Sequence, residues 1–139
     1  MLTEILSNLN WLHVFVAALA YFALGAIWYS FLFKNQWIQL SGVKMDDPNA
    51  QKGVAGVMIT SFVLMFVQTA GIAILEHQFM TTNLMSGLKM GAFVGIAFAS
   101  TAIAINYLYN MKPMMLYVID CGYQILGCAI AGAIMGAWN

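Results

Sequence analysis

Asp120 is the only charged residue between Lys112 and the C-terminal Asn139. The residues around it are apolar enough to place it inside a membrane. It lies six residues past the expected start of a helix, about 9 Å inside its end at 1.5 Å per residue. An ionised carboxylate at that depth is costly, so it must be paired, solvated by a cavity or protonated. Tyr117, Tyr123 and Gln124 stand at i−3, i+3 and i+4 and can share its face. If the preceding hairpin turns near residue 112, Asn106 and Tyr107 come level with it. Trp28 and Tyr29 lie six and five residues before Lys34, at a similar depth. Trp28, Tyr29, Asn106, Tyr107, Asp120, Tyr123 and Gln124 are therefore expected to converge. Such a set can act as a proton or cation site or a small-ligand pocket, or it can be a hydrogen-bond network that ties helices together.

The elements that position these residues follow from the charges. The chain has 139 residues, of which 63% are hydrophobic and 7% charged, with a formal net charge of zero. A soluble domain has roughly 25% charged residues, and a small one cannot hide so much apolar surface. A disordered chain and an electrostatic nucleic-acid binder are excluded on the same ground. The ten charges are Glu4, Lys34, Lys44, Asp46, Asp47, Lys52, Glu76, Lys89, Lys112 and Asp120, and they leave uncharged runs over 5–33, 53–75, 90–111 and 121–139. A helix needs about 20 apolar residues to cross a bilayer, whereas membrane strands alternate over roughly 10. The expectation is an all-α integral membrane protein, one domain over 1–139, with four transmembrane helices near 11–33, 54–75, 87–109 and 114–138 in a compact bundle.

Loops 34–53 and 110–113 hold four of the five lysines, which predicts both to be cytoplasmic and both termini to face outward. A cleaved leader is not expected, since the first ten residues lack a basic stretch and the apolar run that follows is too long. Leu2, Ile5, Leu6 and Leu9 share one helical face and suit an interfacial lead-in, with Asn10 capping the helix that starts at Trp11. Trp37, Ile38 and Leu40 suit the headgroup level. Asp47-Pro48 and Lys112-Pro113 read as helix starts. Residues 76–86, with Glu76, His77, Thr81, Thr82, Asn83 and Ser86, read as a solvated outer loop. Ala26-Ile27-Trp28-Tyr29 before Lys34 and Ala104-Ile105-Asn106-Tyr107 before Lys112 repeat at an offset of 78. This hints at two parallel two-helix repeats.

Gly87, Gly91 and Gly95 step down the third helix, and Gly132 and Gly136 down the fourth. Small residues let backbones approach in lipid, where apolar side chains gain little by meeting. Packing within one bundle and self-association into a homo-oligomer are both open. Met114, Cys121, Cys128 and Met135 recur every seven residues, but successive sulfurs are about 10 Å apart, too far for one ion to bridge. His77 and Met80 read as solvated loop residues. No metal site, cofactor fingerprint or catalytic triad is read from the sequence.

Gly25-x-x-Trp28-Tyr29, Phe33, Trp37, Asn106-Tyr107, Asp120-x-Gly122-Tyr123 and Gly136-Ala137-Trp138 resemble, in order and spacing, the domain of unknown function 1761 family of small bacterial membrane proteins. The resemblance runs over roughly 10 to 138. Ser30 departs from it, standing where members often carry Gly. It implies a four-helix protein of the bacterial inner membrane, and it names no activity or substrate. Three function classes follow from the residues: a non-catalytic accessory or structural membrane subunit that self-associates; a small transporter or channel for a proton, cation or small solute using Asp120; and a membrane-embedded enzyme. The first is the leading expectation. The partners expected are the lipid bilayer and a second copy of the chain.

Overall fold

In hydrocarbon, a long apolar segment has no water to satisfy its backbone, and the helix is the form that closes every N–H and C=O within the segment. The computed structural model describes residues 1–41 and 54–138, and no strand occurs among them. Helix α1 (Leu2–Asn8) leads into α2 (Trp11–Ile27), which continues through a π-helical turn at Trp28–Leu32; α3 (Lys34–Ser41) follows. After the residues not described come α4 (Val54–Gln78), α5 (Leu84–Val94), a second π turn at Gly95–Ala99, α6 (Ser100–Tyr109) and α7 (Met114–Trp138). Four stretches are long and apolar enough to cross a membrane: Trp11–Leu32, Ala55–Gln78, Leu84–Tyr109 and Met114–Trp138. The chain is thus a multi-pass helical membrane protein. Asp47-Pro48 and the lysines at 44 and 52 lie outside the described residues.

The caps are local. The Asn10 side chain accepts from Leu12 N–H at 3.2 Å and His13 N–H at 3.4 Å, and so opens α2. Asn83 opens α5 by accepting from Ser86 N–H at 2.8 Å. Both helices that run into hairpins end on a methionine in the left-handed region, Met80 and Met111, each with φ 53°. Thr81 N–H then donates to the Glu76 carbonyl at 2.9 Å, and Lys112 N–H to the Tyr107 carbonyl at 3.0 Å. This closure usually calls for glycine.

The outer connection differs from expectation. Helix α4 runs through Glu76 and His77 to Gln78, and α5 starts at Leu84, so the link is 79–83 and not 76–86. A charged side chain does not itself stop a helix; the chain turns only where Met80 breaks the hydrogen-bond ladder. Glu76 is consequently inside the bundle, 1% exposed.

Helix α7 is the hub and packs against α2, α4, α5 and α6. Its partner α5 lies against it backbone to backbone. A methyl group placed on Gly91 would sit 2.7 Å from the Cys128 carbonyl carbon and 2.9 Å from Ala129 Cα, and one on Gly95 would sit 2.7 Å from Ile125 Cα. Gly132 and Gly136 complete the seam against Gly91 and Gly87. The glycine ladder is therefore occupied within the chain. Tyrosine rings close on two other glycines: Tyr21 Cε1 would be 2.6 Å from a methyl on Gly127, and Tyr123 Oη 2.8 Å from one on Gly25. Val14, Ala17 and Tyr21 of α2, Ile72 and Ala73 of α4, and Tyr123, Cys128, Ala131 and Met135 of α7 form the core.

Candidate functional site

The π turn at Trp28–Leu32 inserts one residue into the helical ladder, closed by Phe33 N–H donating to the Trp28 carbonyl at 2.9 Å. Such turns are frequent where a helix must re-aim side chains. Here the turn carries two residues that reach α7. Trp28 Nε1–H donates to the Ile119 carbonyl at 3.0 Å, and the ring lies 3.4 Å from where a methyl on Gly122 would be. Tyr29 Oη–H donates to Asp120 Oδ1 at 2.6 Å.

The second carboxylate oxygen is taken from the other side. Tyr107, near the end of α6, donates its hydroxyl to Asp120 Oδ2. Asp120 is 7% exposed and thus held between phenols from two different spans. Hydrogen bonds to an ionised acceptor are about twice as strong as neutral ones, which offsets part of the cost of placing a carboxylate there. The phenols are themselves fixed by edge-to-face ring contacts. Tyr29 meets Tyr123 at 5.3 Å and Trp37 of α3 at 5.6 Å, and Tyr107 meets Tyr117 at 5.5 Å. Tyr29 and Tyr107 are the two tyrosines related by the offset of 78.

A second polar tier lies one to two turns deeper. Tyr123 Oη–H donates to the Tyr21 carbonyl at 3.0 Å, with Met65 Sδ at 3.5 Å. The Tyr21 hydroxyl donates to Gln124 Oε1, which also accepts from Gln68 Nε2 at 3.3 Å. Cys128 Sγ lies 3.8 Å from the same hydroxyl. Further round α7, Ser100 Oγ and the Cys121 carbonyl, and Cys121 Sγ and the Ser100 carbonyl, meet reciprocally at 3.5 Å.

Of the seven residues expected to converge, Trp28, Tyr29, Tyr107, Asp120 and Tyr123 lie together. Gln124 belongs to the deeper tier. Asn106 does not join: it is exposed, and its Oδ1 accepts from Asn110 Nδ2 at 3.0 Å. The reason is rotation, since one residue turns a helix by 100° and Tyr107 takes the inward face. The line of sulfurs also divides, with Met114 exposed, Cys121 half-buried, and Cys128 and Met135 in the core. Among the described residues, no group of three or more His, Cys, Asp or Glu could hold a metal ion. Sequence reasoning passed over Tyr21, whose position seven residues before Trp28 on one helical face was the available signal, and it read Glu76 as a loop residue.

A family model described as protein of unknown function (DUF1761) matches residues 12–136. No curated protein and no solved structure matches the chain.

Proposed function

Because the chain belongs to the DUF1761 family, which carries no assigned activity, its role must be argued from the site, and we propose a non-catalytic one: an accessory or structural subunit of the bacterial inner membrane that self-associates. The observation that carries this reading is the double capture of Asp120. Its two oxygens accept from Tyr29 and Tyr107, so one buried carboxylate ties the first, third and fourth spans. A group that binds and releases protons or cations during transport needs water or a ligand beside it. A carboxylate sealed by two phenols suits a clasp. The lysine distribution orients the clasp toward the cytoplasm, with both termini outward.

Self-association has an available face. The third-span glycines are used internally, whereas on α4 a methyl on Gly56 or Gly71 would meet no atom of the described residues within 4 Å. A second copy is proposed to pack there, by the close backbone approach that small residues permit in lipid.

The test is reconstitution of wild type and Asp120→Asn in liposomes, with thermal melts and crosslinking alongside. The expected result is proton and cation flux at the level of empty vesicles for both proteins, and a lower melting temperature with weaker crosslinking for the variant. A wild-type flux that Asp120→Asn abolishes, in a protein that still folds, would overturn the clasp in favour of transport.

A further inference from the structure

At the end of the bundle opposite Asp120, a cavity of about 550 Å3 opens between α1, the start of α2, the end of α4, the end of α7 and the 79–83 link. This lies within the roughly 300–1,000 Å3 typical of small-molecule sites. Its walls include Glu76 and His13. Glu76 is 1% exposed, and among the described residues neither of its carboxylate oxygens has a hydrogen-bond partner. His13 Nδ1 is likewise buried and unpartnered, while its ring is held flat on Trp138 at 3.9 Å. Three orphaned polar atoms thus belong to two residues of one cavity wall. Buried polar groups are normally satisfied, and a buried carboxylate is normally paired with a cation. Among the described residues, the cavity wall contains no Lys or Arg to pair with it.

We propose that this cavity binds a small primary ammonium ion, anchored on Glu76 and accepted by His13. The chemistry follows from the acceptors and the walls. A primary ammonium carries three N–H donors, as many as the orphaned atoms of Glu76 and His13, and an imidazole nitrogen without a proton accepts such a donor. Leu9, Val14, Ala73, Met80 and Met135 give one part of the wall an apolar character that suits an alkyl substituent, beside the polar Asn8, Asn10, His77, Thr81 and Thr82. A bare metal ion fits less well. The cavity is many times the ~30 Å3 share of one water, and the His and Glu side chains here do not assemble into a set of three metal ligands. Glu76 Oε1 lies beside the glycine seam, 3.0 Å from the place of a methyl on Gly87. The site is independent of Asp120, which sits at the other end of the same helices.

The experiment uses the full chain in lipid nanodiscs, with n-butylammonium chloride as the probe and melting followed by tryptophan fluorescence. Saturable stabilisation by n-butylammonium is expected, with none from n-butanol or from sodium chloride at equal ionic strength. Calorimetric titration should show affinity falling at least tenfold in Glu76→Gln, falling less in His13→Phe, which keeps a ring on Trp138, and unchanged in Asp120→Asn. Equal binding of n-butanol to the wild type would overturn the proposal without recourse to any variant. So would a sodium response matching the ammonium one, or undiminished affinity in a folded Glu76→Gln protein.

Discussion

Replacing Gly91 with alanine adds a single methyl group, and the structure sets what it must cost. The new carbon would stand 2.7 Å from the Cys128 carbonyl carbon and 2.9 Å from Ala129 Cα, with the Cys128 carbonyl oxygen closer still. Ordinary contact begins near 3.4 Å, so α5 and α7 must separate by at least about 0.7 Å on the carbon distance alone (3.4 − 2.7). The obstacles are backbone atoms of a helix, and no rotamer change can clear them. Overpacking costs typically about 1–3 kcal/mol where neighbours can adjust. Here the separation also opens the contacts of Gly87 with Gly132 and of Gly95 with Ile125, each atom pair forfeiting about 0.1–0.2 kcal/mol of dispersion. A loss of about 3 kcal/mol or more is expected. Gly71→Ala is the matched control: the same chemical change in another span, with no atom within 4 Å of the added methyl. In the dissociated monomer it should be neutral to stabilising, by up to about 1 kcal/mol. Unfolding in mixed dodecyl maltoside and dodecyl sulfate micelles, followed by tryptophan fluorescence, measures both. A Gly91→Ala stability within about 0.5 kcal/mol of Gly71→Ala would refute the backbone-contact seam.

Asp120→Leu should lower stability by at least about 1 kcal/mol, since it orphans two phenols and interhelical hydrogen bonds in membranes average about 0.6 kcal/mol each; the same unfolding titration checks it, and a neutral result sinks the clasp. Tyr29→Phe and Tyr107→Phe should each cost less than Asp120→Leu and should be non-additive with it in a double-mutant cycle, as expected of groups sharing one acceptor. Tyr123→Phe should cost about 1 kcal/mol through the lost bond to the Tyr21 carbonyl, with its ring contacts to Tyr21 and Tyr29 retained; circular dichroism should show unchanged helix content. Met111→Gly should raise stability by about 1 kcal/mol, because a left-handed residue with a side chain carries a penalty that glycine escapes, and an unchanged melting temperature would count against that closure.

The four spans were legible because lipid leaves composition little freedom: a gap in the charges long enough to cross is a helix that crosses. Residues 11–33 and 114–138 were expected and Trp11–Leu32 and Met114–Trp138 are found. The Asn10 cap was legible for a similar reason, being a local contact of one side chain with the next turn. Two kinds of feature were not. The π turns at Trp28–Leu32 and Gly95–Ala99 depend on which carbonyl each N–H selects, and residue type does not encode that choice. The fate of Glu76 depended on where α4 ends, which a methionine in an unusual conformation decides two turns from any glycine or proline signal. At the site, depth arithmetic brought Tyr29, Tyr107 and Asp120 to one level. It could not separate Tyr107 from Asn106, because neighbouring residues share a depth and differ by 100° in direction.

The hub position of α7 bears on how the protein comes to be assembled. It follows the other three spans in the chain, and domains of a nascent chain appear from the N-terminus onward. Tyr29, Trp28 and Tyr21 therefore enter the bilayer before their acceptors on α7 have been made, and the glycines of α5 before the backbone that covers them. The first three spans have little to close around until then; over the most apolar window of each, 22%, 17% and 11% of residues are buried, against 56% in α7. The fourth span works as a keystone. A chain cut short before it would leave Trp28, Tyr29 and Tyr107 without their acceptors on α7.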